Sequence, residues 1–306
     1  MPRYKLVIAY DGTDFHGWQK QHPPADAEHT RPEQVMDADH TSAVPEGRVA
    51  LRTVQEVVEH AARLVCREPV LLTGASRTDA GVHAAGQVAA FTSNPEPQRG
   101  VGWPGERGCD RLVRALNGAL PGDVVVRSAE IVSDEFDPIR DAVEKEYTYT
   151  IQTGEQRPIW ERRFAFHTWY ALDAGAMARA GSLLEGEHDF ASFAQISHGR
   201  ASTVRTISGC RVEQSARVDH LDGPAAPGER IVIRVSGSGF LYNMVRIVAG
   251  TLLEVGRGRI DADAIPRIIA ACDRRAAGPT LPPEGLRLEW VRYGQEMKRR
   301  RDGETE

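Results

Sequence analysis

The chain of 306 residues is sparing with several residue types, and each shortage excludes something. Its four cysteines, Cys66, Cys109, Cys210 and Cys272, stand far apart with no C-x-x-C pair. That pattern signals neither zinc ligation nor a disulfide framework, and it leaves small buried thiols as the reading. No stretch approaches the ~20 apolar residues that a membrane span needs. The N-terminal MPRYKLVIAYDG has a basic start, but its apolar run is brief and no small-residue cleavage site follows. It reads as a first strand rather than a signal peptide, and the cytoplasm is the expected location. There is no G-x-G-x-x-G after the first strand, no G-x-x-x-x-G-K-[ST] and no H-E-x-x-H. Nucleotide cofactors and a catalytic zinc are therefore not expected.

Positive charge is also short overall: 38 basic against 43 acidic residues, a net charge of -5. Taken alone, this argues against nucleic acid as a partner. The deficit is concentrated, however. His22 to Arg48 (HPPADAEHTRPEQVMDADHTSAVPEGR) holds six acids and two bases, so the remainder has 36 bases and 37 acids. A locally basic cleft is compatible with that balance, because RNA responds to the local field and not to the molecular sum. The same segment contains several prolines and almost no large apolar residues, so it reads as an acidic surface insertion.

What remains is patterned as a globular protein, with 41% hydrophobic and 26% charged residues. Tyr4 to Gly12 is rich in β-formers and ends at a turn. In RTVQEVVEHAARLV, apolar residues recur at helical spacing. Gly86 to Thr92, Val124 to Val132 and KEYTYTIQT read as strands, and CDRLVRALNGALP as a helix. The second half repeats this plan loosely. Ala171 to Gly186 reads as a helix with Asp173 as N-cap, TVRTISGCRVEQ and ERIVIRVSGSG as strands, and Phe240 to Gly256 as an apolar helix. DADAIPRIIAACDRR follows with Asp261 as N-cap, and LRLEWVRYG closes as a strand. The expected fold class is α+β: two similar α/β halves with antiparallel or mixed sheets meeting around a central cleft. The expected division is 1–152, 153–296 and a charged, disordered tail at 297–306.

The stretch GASRTDAGVHAAGQVAAF, Gly74 to Phe91, draws the chemical interest. Asp79 sits among small residues that let a ligand approach the backbone. It reads either as a turn aspartate capping its own backbone or as a nucleophile or general base in a cleft. Arg77 is placed to orient it or to contact phosphate. His83 reads more readily as a loop-holding hydrogen-bond partner than as a catalyst. Arg246 lies in an otherwise apolar helical run, where an arginine must pair or snorkel to solvent. Tyr147 and Tyr149 share one face of their strand, as a core pair or as an aromatic platform for a base.

The residues SRTDAGVHAAGQVAAF closely resemble the signature R-T-D-x-G-V-H of the tRNA pseudouridine synthase A family. So do IAYDGTDFHGWQKQ, TVQEVVEHA, ALNGALPGDVVV, FDPIRDAVEKEYTY, HDFASF, GSGFLYNMVRIVAGTLLEVGRG and LPPEGLRLEWV, in the family's order. The resemblance implies the pseudouridine synthase fold, with its RNA-binding cleft. It implies isomerisation of uridine to pseudouridine at positions 38 to 40 of the tRNA anticodon arm. No cofactor and no metal are implied, and a homodimer is. It makes Asp79 the catalytic nucleophile, Tyr147 the residue stacking on the target base, Arg246 the partner of Asp79, and Arg77 a contact to the flipped nucleotide. Lys20, Arg200, Arg205 and Arg257 are candidate phosphate ligands. Rival readings are a synthase acting on another RNA, an aspartate-nucleophile glycoside hydrolase, and a non-catalytic RNA-binding module. The family has only a short connection where this chain carries the acidic insertion, which is expected to fold away from the RNA path.

Overall fold

The computed structural model of the chain describes residues 1–25, 44–195, 202–216 and 228–294. Most of the insertion, Arg200 and the tail 297–306 lie outside the described residues. The chain divides into two compact units: Glu144–Glu289, and Met1–Val143 together with the chain from Trp290 on.

The first unit carries β1 (Arg3–Tyr10), α1 (Val54–Cys66), β2 (Thr73–Gly74), β3 (His83–Thr92), α2 (Cys109–Ala119) and β4 (Val124–Val132). β1 is flanked by β3 and β4, both antiparallel to it, and β2 pairs with β3. Tyr4, Leu6 and Ile8 alternate into the core at 0% exposure, the period-two burial that a half-buried strand requires. α1 starts where Thr53 accepts a hydrogen bond from the Glu56 amide, a cap worth about 1 kcal/mol. Its polar face is buried too. The Gln55 amide donates to the Leu72 carbonyl (2.7 Å), and the Glu59 carboxylate takes Lys20, Arg63 and the Leu72 amide. A buried carboxylate is tolerated when both its oxygens are paired in this way.

The second unit contains most of β5 (Ala142–Thr153), then β6 (Phe166–Thr168), α3 (Ala174–Ser182), β7 (Gly186–Asp189), β8 (Val204–Ala216), β9 (Glu229–Gly237), α4 (Met244–Gly256) and α5 (Ile265–Ala271). β10 (Leu286–Tyr293) runs across the boundary into the first unit. Antiparallel pairing joins β5 to β9, β9 to β8 and β8 to β7, while β6 lies parallel to β5. The boundary expected at 152/153 falls at the end of β5, whose antiparallel ladder with β9 runs from Lys145 to Gln152. Each unit is α+β, the class expected from the sequence.

Several boundaries differ from expectation, for identifiable reasons. α3 ends at Ser182, because Leu183 and Leu184 close turns onto the carbonyls of Ala180 and Gly181. Gly186, at φ +111°, then opens β7. Asp173 caps α3 as expected, accepting from the Ala176 amide, whereas Asp261 accepts from the Asp263 amide and caps a 3₁₀ turn, Ala262–Ala264, that leads into α5. α4 starts at Met244 and not at Phe240, because Asn243 is left-handed (φ 60°) and so stands outside the helix. Cys66 and Cys210 are buried and Cys109 is half-buried, but Cys272 is exposed, which corrects the reading of all four as buried thiols. Burial pushes the Cys66 and Cys210 thiols up to about 12. Among the described residues, no helix is long and apolar enough to cross a membrane.

The ends of the insertion are pinned to each other. Pro24 and Arg48 form an antiparallel bridge, the Ala25 amide donates to Gly47 and the Val49 amide to Pro23, both at 3.0 Å. Replacing residues 26–43 with a short turn leaves this ladder whole. Loop-closure entropy changes slowly with length, so stability is expected to shift by no more than about 1 kcal/mol, and catalytic rate by less than about threefold. Urea denaturation and a rate measurement check both; a near-total loss of rate in folded protein would contradict the expectation that the insertion folds away from the RNA path.

Candidate active site

Asp79 lies half-buried in the turn between β2 and β3, and the turn is held from several sides within its own unit. The Asp79 carbonyl accepts the Val82 amide at 3.1 Å, and the Gly81 amide donates to Phe15 at 3.2 Å. The Thr78 carbonyl accepts the Trp18 amide at 3.0 Å, and the Thr78 hydroxyl shares a buried hydrogen bond of 2.7 Å with Tyr10. These partners come from β1 and from the loop DGTDFHGW behind it. That loop is itself tied to α1, because the Val54 and Gln55 amides donate to the carbonyls of Gly17 and Trp18. A carboxylate carried by so many backbone bonds is held in place before a substrate arrives, as catalysis requires.

Two glycines make this packing possible. A Cβ on Gly12 would lie 2.0 Å from the Val82 carbonyl oxygen, and one on Gly17 (φ +84°) 2.5 Å from that of Thr78. Both obstacles are backbone atoms of the Asp79 turn. Gly12→Ala is therefore expected to displace the turn and to lower the catalytic rate by about a hundredfold, because misplacements near 1 Å carry costs of that size. Circular dichroism and a single-turnover rate measured together check the effect.

His83 is 3% exposed, and its Nδ1 accepts the Gly12 amide at 3.0 Å. The same nitrogen lies 3.2 Å from an Asp11 carboxylate oxygen. This is the loop-holding role expected of it. Arg77 is exposed, two residues ahead of Asp79.

The second unit carries the other two expected residues. Tyr147 is 6% exposed, with its ring edge-on to Phe240 at 5.3 Å and 88°. Tyr149, one pleat further along, is a core residue: fully buried, its hydroxyl donating to the Pro282 carbonyl at 2.7 Å. Burial raises its phenol well above the ordinary range and keeps it a donor. Arg246 is half-buried in the first turn of α4. Its Nε donates to the Leu281 carbonyl and an Nη to the Asn243 side chain, each at 2.7 Å. It does not snorkel, because these two bonds fix the guanidinium plane at the start of the helix.

The candidate phosphate ligands are less available than the sequence suggests. Lys20 is 2.7 Å from Glu59, and Arg257 pairs with Glu254 at 2.7 Å while stacking on Tyr170 at 3.7 Å. Arg205 donates to the carbonyls of Ser202 and Val204. Phe240, Tyr10 and Trp18 escaped the sequence reading, since each acts through a contact with residues distant in the chain, and so did Asn243, whose part depends on its left-handed conformation beside Arg246. Among the described residues, no group of three or more His, Cys, Asp and Glu could hold a metal ion.

Comparison with known proteins agrees with this architecture. A family model described as tRNA pseudouridine synthase matches residues 180–294. The chain is 38% identical over 293 residues to the tRNA pseudouridine synthase A of Acetivibrio thermocellus, covering 96% of this chain and all of that protein. It is 38% identical over 294 residues to the protein of that name from Geotalea uraniireducens. It is 40% identical over 301 residues to the one from Oleidesulfovibrio alaskensis, covering 97% and 98% of the two chains. These alignments run through both units, including the Asp79 turn and the Arg246 helix, and the chain belongs to the tRNA pseudouridine synthase A family of isomerases.

Proposed function

We propose that the protein isomerises uridine to pseudouridine at positions 38 to 40 in the anticodon stem-loop of tRNA, acting in the cytoplasm as a homodimer. One observation carries the catalytic part of this reading: a half-buried carboxylate, Asp79, on a turn that β1 and the loop after it hold in place. Family membership points to tRNA as the substrate class.

The target uridine leaves the stack so that side chains can reach it. Tyr147, braced by Phe240, stacks on the extruded base. Arg77, exposed beside the carboxylate, holds the nucleotide through its phosphate. Asp79 is the nucleophile, and Arg246 pairs with it. The bond from N1 to C1′ breaks, the uracil turns, and a bond from C5 to C1′ forms. C5 loses its hydrogen as a proton, N1 gains a proton, and no oxidant or cofactor enters the balance.

The lost C5 hydrogen supplies the test. Unmodified tRNA labelled with tritium at C5 of its uridines should release tritium to water when the purified protein is added without cofactor. Absence of release from a folded preparation would overturn the reading.

A further inference from the structure

We propose that Gln87 is a positioning residue for the reaction: its side-chain amide takes over the sheet pairing where the catalytic turn leaves the strand, and so sets where Asp79 stands. The inference rests on the reading of Asp79 as the nucleophile.

The argument begins with the ladder. β2 pairs with β3 in the register Thr73↔Ala90 and Gly74↔Ala89, and the Ala75 amide continues it to the Val88 carbonyl at 2.7 Å. One step further, Ser76 falls opposite Gln87. There the turn departs from the strand, and main-chain pairing is replaced by one side chain. The Gln87 Oε1 accepts the Ser76 amide at 3.2 Å, and its Nε2 donates to the Ser76 carbonyl at 2.7 Å. Gln87 is fully buried on a strand flanked by Val88, Ala89 and Ala90, which are buried as well. A buried polar side chain is costly unless satisfied, and a primary amide offers one acceptor and one donor in this fork at every pH, where a carboxyl does so only when protonated. Ser76 is the last residue so fixed before Arg77 and Asp79. The amide thus anchors the turn on the strand side, as Tyr10, Phe15 and Trp18 anchor it on the other.

Because the role needs a donor and an acceptor together, it predicts a pH signature that a space-filling role does not. In Gln87→Glu, the protonated carboxyl reproduces both bonds. The ionised form cannot donate to the Ser76 carbonyl and sets two oxygens against each other. Burial raises such a carboxyl toward neutrality or above, so the defect should appear as pH rises. Gln87→Leu keeps the bulk and loses both bonds at every pH.

The experiment measures single-turnover tritium release from labelled tRNA, tRNA affinity, and circular-dichroism melting for wild type, Gln87→Leu, Gln87→Glu and Asp79→Asn, between about pH 5.5 and 8.5. The expected result for Gln87→Leu is a rate lowered about a hundredfold at all pH with affinity nearly unchanged. For Gln87→Glu, the rate relative to wild type should stand near one at the acid end and fall about a hundredfold toward the alkaline end, while the protein stays folded. Three results overturn the proposal: a near-wild-type rate for Gln87→Leu, a flat relative rate for Gln87→Glu, or a loss that tracks unfolding, which makes Gln87 merely structural. If Asp79→Asn keeps its rate, the nucleophile assignment falls with it. If Asp79→Asn is inactive while both Gln87 variants behave as wild type, only the Gln87 assignment falls.

Discussion

Asp79→Asn is expected to bind tRNA and form no measurable pseudouridine, a drop of at least ~10³-fold in rate, or about 4 kcal/mol of transition-state stabilisation. The substitution tests chemistry and not folding. The Asp79 turn is held through the main chain of Thr78, Asp79 and Gly81 and through the Thr78 hydroxyl, none of which changes. Asparagine has the same shape as aspartate and suits turns equally well, so stability should move by less than about 1 kcal/mol. The amide lacks the charge and the lone-pair reactivity of a carboxylate nucleophile. Equal loss of affinity and rate would make Asp79 a binding residue, and an undiminished rate would remove it from the mechanism.

Arg246→Lys should have the second largest effect, visible in both rate and stability. The guanidinium reaches the Leu281 carbonyl with Nε and the Asn243 side chain with Nη. An ammonium is a point charge without that fork and cannot make both contacts from one position. Hydrogen bonds from charged donors contribute about 2 kcal/mol each, so losing one should lower the urea midpoint measurably. Asn243 is also left-handed at φ 60°, and its bond to Arg246 helps hold it there. The expected fall in rate is ~10²-fold or more. If Arg246 works through Asp79, Asp79→Asn/Arg246→Lys should be no slower than Asp79→Asn alone. Additive losses would show that the two residues act independently.

The legible parts of this fold were those governed by local pattern. β4 spans the residues read as a strand, Val124–Val132, and α1 begins one residue after the Thr53 cap. Asp173 and Asp261 cap the residues that follow them, as aspartates ahead of apolar-periodic runs should. The short strands β2, β6 and β7 were not legible. Two to four residues cannot establish a period, and each exists only because a longer strand offers it a partner. The start of α4 was hidden because Phe240 to Tyr242 look helical by apolarity, while Asn243 breaks the helix through its conformation.

The same division holds at the site. Asp79 announces itself in one short motif. Its supports, Tyr10, Phe15, Trp18 and Gln87, are spread along the chain and reveal their work only through particular atoms. Lys20 shows the converse: a lysine in a polar loop looks free for phosphate until Glu59, 39 positions away, is found beside it.

The most direct test of the central claim is to map pseudouridine, nucleotide by nucleotide, in unmodified tRNA after treatment with the wild-type protein and with Asp79→Asn. The account predicts new pseudouridine within positions 38 to 40 from the wild type and none from the variant. Modification confined to another part of the tRNA, or the same modification from both proteins, would contradict it.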